Sequence, residues 1–172
     1  YTQTEEYKEK VKTVCQKKYG VDNPSQYQPV IDKIYKTKKA NGSLNTSKPE
    51  KIINDLLKEK YKEVKRQYKS KLYPFNCDFY IPEIDLYIEY QGVVDHGHYK
   101  HKVIGPHNEN SEEHLKILKI WQEKSINHPR YKSMIKTWTI RDPLKRKTAH
   151  ENGLNWLEFF TMDEFMKWYN SI

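Results

Sequence analysis

Asp78 and Glu89 each lie inside a run of residues that are otherwise mostly aromatic, aliphatic or β-branched: Cys77 to Ile81 and Ile84 to Gln91. A carboxylate in such a run is costly to bury unless it is paired or binds a metal. These two acids are therefore the first candidates for chemistry. Glu50, Gln91, His96 and Asp142 complete a polar set placed at the ends of predicted elements. Each member also has a plain structural reading. Glu50 is the fourth residue of a capping box, Ser47-Lys48-Pro49-Glu50, and Asp142 is an N-cap ahead of Pro143. Glu89 could pair with a lysine at a sheet edge. His96, His98, His101 and His107 could instead gather zinc, although their spacing fits no usual pattern.

The elements that must position these residues read as follows. Cys77–Ile81 and Ile84–Gln91 form two strands joined by a turn at Pro82-Glu83, because proline donates no ladder hydrogen bond. In the second strand Asp85, Tyr87, Glu89 and Gln91 share one face, and Leu86, Ile88 and Tyr90 share the other. Upstream, helices are predicted over 3–18, with Gly20 as the stop, and over about 27–40, ended by Asn41-Gly42. Ser43 to Thr46 reads as a linker. A third helix starts at Ser47 with Ile53, Leu56, Leu57, Tyr61 and Val64 on its core face, and frays in the basic stretch Lys65 to Lys71. Ser111 caps a helix reaching about Glu123, and Asn127 to Arg130 is a turn. Lys136 to Arg141 is predicted as a third strand, with Trp138 in the core. Asp142 then opens a helix that Gly153 closes. Leu154 to Phe160 is a fourth strand, and Thr161-Met162-Asp163-Glu164 is a second capping box. The chain thus reads as α/β with a mixed sheet of about four strands flanked by helices. It divides into a helical appendage, residues 1–46, and a main domain, residues 47–172.

The 172 residues carry a formal net charge of +8. Residues 1–70 hold 17 Lys and Arg against 9 Asp and Glu, while the remainder is balanced at 14 against 14. A polyanionic partner is expected, met by the N-terminal part. The bland alternative is a solubilising lysine-rich surface. Two cysteines far apart, Cys15 and Cys77, fit a reduced, cytoplasmic protein. No apolar run is long enough to span a bilayer. A chain that opens on Tyr1 rather than Met reads as a piece of a longer one.

The order of these pieces resembles the very short patch repair (Vsr) endonucleases and the phage homing endonucleases of the EDxHD type, within the PD-(D/E)XK, restriction-endonuclease-like superfamily. The matching residues are Glu50 in Pro49-Glu50-Lys51 and Asp78 in Asp78-Phe79-Tyr80-Ile81-Pro82. Next comes Ile88-Glu89-Tyr90-Gln91-Gly92 with Asp95-His96-Gly97. The last is Arg141-Asp142, with the helix end at Asn152-Gly153-Leu154. The resemblance covers roughly residues 47–160. It implies a restriction-endonuclease-like core and metal-dependent cleavage of a DNA phosphodiester, in a phage or mobile-element homing endonuclease acting in a bacterial host. Asp78 and Glu89 would hold Mg²⁺, or Mn²⁺ in its place, through oxygen. His96 would act as general base on water, its ordinary pKa of about 6.5 being suited to the task. Asp142 or Glu50 would orient the imidazole or its waters. Gln91 stands where the superfamily usually has lysine and can only orient water or phosphate. The cysteines of the repair enzymes' structural zinc site are missing, so neither that zinc nor mismatch specificity is expected. Lys18 to Gln26 is similar to short modules found beside homing-type nucleases, with phosphate contacts expected from Lys17, Lys18, Lys36, Lys38 and Lys39. The alternative is a nucleic-acid-binding module on a nuclease-like fold that has lost activity.

Overall fold

The computed structural model describes residues 4–40, 47–92, 96–100 and 102–172, with the Lys39 side chain left out. The expected stop at Asn41-Gly42, the linker Ser43–Thr46, Asp95 and His101 lie outside the described residues. The chain divides into two compact units, Tyr1–Ser47 and Lys48–Ile172.

The first unit is helical. Helix α1 (Glu5–Tyr19) is capped by Thr4, whose side chain accepts from the Tyr7 N–H, and it ends at Gly20. A 3₁₀ turn at Pro24–Gln26 is closed by a capping box on Asn23. Helix α2 (Gln28–Ala40) follows. The Tyr19 and Tyr27 rings meet across the turn, 5.1 Å between centroids. Lys17, Lys18, Lys36 and Lys38 are exposed.

The second unit is α/β. Helix α3 (Lys48–Lys60) leads into strands β1 (Lys65–Tyr68), β2 (Cys77–Ile81) and β3 (Leu86–Tyr90). A small hairpin, β4 (His98–Tyr99) with β5 (Lys102–Val103), comes next. Helix α4 (Glu112–Ser125) is capped by Ser111. Helix α5 (Pro129–Lys136), a π-helical turn (Thr137–Arg141) and helix α6 (Asp142–Glu151) then run on as one helical stretch. Strand β6 (Asn155–Phe159) and helix α7 (Met162–Tyr169), opened by the expected capping box on Thr161, complete it.

The sheet order is β1-β2-β3-β6. The first three strands are antiparallel, and β6 lies parallel to β3, with Glu89 beside Glu158. The sheet is mixed and four-stranded as expected, but two of the assignments differ. Lys65–Tyr68 does not fray; it is an edge strand. Its charged residues suit an edge, where Lys and Arg discourage pairing with another chain. The segment 136–141 is not a strand but part of the long helix. Its apolar and β-branched residues suited either state, and packing decided. Trp138 is indeed fully buried, but from a helix, against Trp121 and Met134.

Alternation in β3 holds as the sequence predicts. Leu86, Ile88 and Tyr90 join Ile53 and Leu57 of α3, Phe79 and Ile81 of β2, and Phe165 and Tyr169 of α7. The other face carries Tyr87 with Tyr73, Cys77 and Ala149 of α6. Every residue of β3 is buried. Helices α3 and α7 are also tied to each other. The Lys60 ammonium donates to the carbonyls of Tyr169 (2.6 Å) and Ile172 (2.9 Å) near the C-terminus of α7, where the helix dipole favours a cation.

Candidate active site

Asp78 and Glu89 enter the site from adjacent strands. Extending the pairing of Phe79 with Ile88 by one residue sets them side by side. Asp78 accepts from the Tyr90 N–H (2.9 Å) and from the Gln67 side-chain amide (3.2 Å). Glu89, only 2% exposed, accepts from the Tyr73 hydroxyl at Oε1 and from the Lys145 ammonium at Oε2, both at 2.8 Å. Burial pushes the Glu89 carboxyl up to about 7, with Lys145 pulling against it and the nearby Asp78 charge adding to it. Asp78 is raised as well, first by burial and then by Glu50; the Tyr90 N–H, Lys145 and His96 oppose the rise. Two neighbouring carboxylates that cannot both ionise cheaply need a positive partner.

That partner, Lys145, is absent from the candidates the sequence suggests. It sits one helical turn after Asp142, so both project from the same side of α6. The i, i+3 spacing of Asp142 and Lys145 is the signal that could have found it. Burial alone would lower the Lys145 pKa, but Glu89, Asp78 and Asp142 together hold it above its ordinary value. The expectation that Glu89 pairs with a lysine at a sheet edge is right about the ion type and wrong about the place. Glu89 is on an interior strand, and the lysine arrives from the covering helix.

Asp142 is not an N-cap. Its own backbone is helical and no side-chain cap is made, because the helix continues through the π-helical turn before it. One extra residue per turn there re-aims the side chains that follow, as π-bulges commonly do at working sites. Asp142 is 1% exposed and its Oδ2 lies 2.9 Å from His96 Nδ1. A carboxylate only accepts, so Nδ1 carries a proton, and in the neutral ring the lone pair is then on Nε2. Among the described residues, Asp142 Oδ1 is buried without a hydrogen-bond partner.

The loop bearing His96 is fastened to the same helical stretch. Gly97 O accepts from the N–H groups of Ile104 (2.7 Å) and Gly105 (3.0 Å), and Gly105 O accepts from the Trp138 indole (2.9 Å). Trp138 lies in the π-helical turn that precedes Asp142. One segment therefore both carries the carboxylate and holds the loop that offers the imidazole.

Glu50 stands in the first turn of α3, with the Arg66 guanidinium 3.8 Å away, and it is close enough to Asp78 to raise it. Gln91 is 2% exposed and its amide nitrogen donates to Glu158 Oε1 at 2.6 Å. Arg146 grips the same carboxylate with two hydrogen bonds, 2.7 and 2.6 Å. The amide nitrogen of Gln91 is thus tied to β6 through Glu158, which Arg146 of α6 also holds. Among the described residues, no three His, Cys, Asp or Glu side chains converge as a ready metal cage. The His107 ring meets Trp138 edge-on and the His114 ring packs against it tilted, and the His114 ring is held by Asn108 N–H and Ile104 O. The oxygen donors themselves suit a hard cation: adjacent Asp78 and Glu89, with a half-buried ammonium already drawn to Glu89. The four acids and the imidazole expected from the sequence, with Lys145, act on one another electrostatically and share one end of β2 and β3. Among the described residues no helix is long and apolar enough to cross a membrane. Comparison with protein-family models, curated proteins and solved structures found no match for this chain.

Proposed function

We propose that residues 48–172 form a metal-dependent endonuclease that hydrolyses DNA phosphodiester bonds, using Mg²⁺ or Mn²⁺. The observation that carries this reading is the His96–Asp142 pair at 2.9 Å beside the Asp78 and Glu89 carboxylates. Asp142 holds the Nδ1 proton, so Nε2 is the nitrogen that accepts a proton from an attacking water. The buried carboxylate then stabilises the imidazolium that forms. Asp78 and Glu89 would hold the cation, which would polarise the scissile phosphate and offset the charge developing on it. Lys145 opposes the burial that favours the neutral form of Glu89, and Arg146, Glu158 and Gln91 lock β6 to α6 beneath. The basic N-terminal unit supplies phosphate contacts.

A second reading, DNA binding without turnover, is favoured by one observation: both Glu89 oxygens are taken by protein donors. Plasmid nicking with Mg²⁺ or Mn²⁺ separates the two. Wild type is expected to nick, Asp78→Asn and His96→Ala to slow nicking by about 100-fold or more, and all three to keep salt-sensitive DNA binding. A wild-type protein that binds DNA yet leaves it intact across metals and pH sinks the enzyme and leaves the binding module. Affinity indifferent to salt would sink both.

A further inference from the structure

We infer that Lys145 is a built-in counter-ion that a divalent cation displaces, so that the pocket exchanges one positive charge for another when it is loaded. This inference rests on the metal-dependent reading above and adds a moving part to it. Three observations carry it. First, the Lys145 ammonium is bonded to Glu89 Oε2 at 2.8 Å, on one of the two carboxylates that would hold a cation. Second, Glu89 Oε1 already accepts from the hydroxyl of fully buried Tyr73, so a ligand placed there would have to share that oxygen with it. Third, the Lys145 side chain retains 18% exposure, so its flexible stem can swing outward without repacking the core.

Without a cation, the buried Glu89 carboxylate and the half-buried Asp78 carboxylate beside it repel, and the ammonium keeps them together. A divalent ion, if held by these carboxylates, would repel the ammonium, and oxygen ligands suit such an ion better than one hydrogen-bonded lysine. The displaced ammonium would have two anions to turn to, Asp142, which already acts on it, and in the proposed reaction the phosphate being cut. The metal-free site is thereby kept assembled, and the cation releases a phosphate-binding group as it enters.

The test is amine labelling of the full chain by reductive methylation, read at each lysine by mass spectrometry. It is run without divalent ion, with Mg²⁺, and with Ca²⁺. Calorimetry in the same buffers reports whether the ion binds. In wild type, Lys145 should be protected without ion and become labelled several-fold faster with it, while exposed Lys119 does not change. In Glu89→Gln, Lys145 should label readily with or without ion. In Asp78→Asn, ion binding should weaken and Lys145 should stay protected. An ion that binds while Lys145 remains protected overturns the displacement and leaves the nuclease reading standing. No ion binding at all overturns both.

Discussion

Glu89 is the residue on which burial and charge conflict most directly. Its carboxyl is 2% exposed on an interior strand, pushed up to about 7 from 4.5. Below about pH 4.5 it is neutral in both the folded and unfolded states. As pH rises towards 7 the unfolded chain releases the proton and the folded chain retains it, so this group makes stability fall through that window. The loss is on the order of 2–3 kcal/mol by pH 7. Glu89→Gln should flatten the slope of unfolding free energy between about pH 5 and 7 in denaturant titrations. Asp78, raised in the same direction, keeps part of it. The slope is the readout, because the glutamine also strands Lys145 and lowers stability at every pH. A variant with the wild-type slope would mean that Glu89 titrates near its ordinary value. The His96–Asp142 pair is a different case: its significance is geometric, a tautomer set by one hydrogen bond of 2.9 Å.

At the scale of elements, the continuous run α5, π-helical turn, α6 does three jobs. It buries Trp138, aims Asp142 and Lys145, and holds the His96 loop through the Trp138–Gly105–Gly97 chain of hydrogen bonds. Gly97 has φ +91°, and a Cβ there would meet the Gly105 carbonyl oxygen at 2.5 Å. Gly97→Ala should therefore cost about 2 kcal/mol or more and slow nicking further by moving His96. Gly105 also has positive φ, but an added Cβ would meet nothing within 4 Å. Gly105→Ala should cost only the backbone penalty, about 1 kcal/mol, and leave nicking near wild type. Thermal melts with nicking assays compare the two; equal losses would show that the loop tolerates the displacement. The same run explains the misread strand. Thr137-Trp138-Thr139-Ile140 is β-branched and aromatic, which favours a strand locally, yet Trp138 finds its partners in α4 and α5 and the helix carries on. The missed strand β1 has the opposite cause. Lys-Arg-Gln-Tyr carries little strand propensity, and its pairing comes from β2.

At the scale of the whole molecule, charge and chemistry are separated along the chain. The net +8 arises within residues 1–70, and the acids and imidazole of the site come mostly from the balanced remainder. Deleting residues 1–42 should weaken DNA binding and flatten the dependence of log affinity on log salt. The slope should drop by about 0.9 for each phosphate the truncated chain no longer neutralises, so by about 4.5 if all five named lysines engage. Fluorescence anisotropy across a salt series measures it, and an unchanged slope would assign phosphate binding to the second unit. By itself the sequence determined the α/β class, the β2–β3 pairing, the alternation that puts Glu89 opposite the Ile88 face, the caps on Ser111 and Thr161, and the acids and histidine worth testing. Those features follow from short-range preferences and from the cost of placing a carboxylate in an apolar strand. Only the tertiary structure decided that 136–141 is helical, that Asp142 is bonded to His96 rather than capping a helix, that Gln91 is held by Glu158, and that Lys145 holds Glu89. The helical segment is a packing choice between two locally acceptable states. The three pairings join residues 46 to 67 positions apart, and no local pattern encodes which distant partner a side chain will meet.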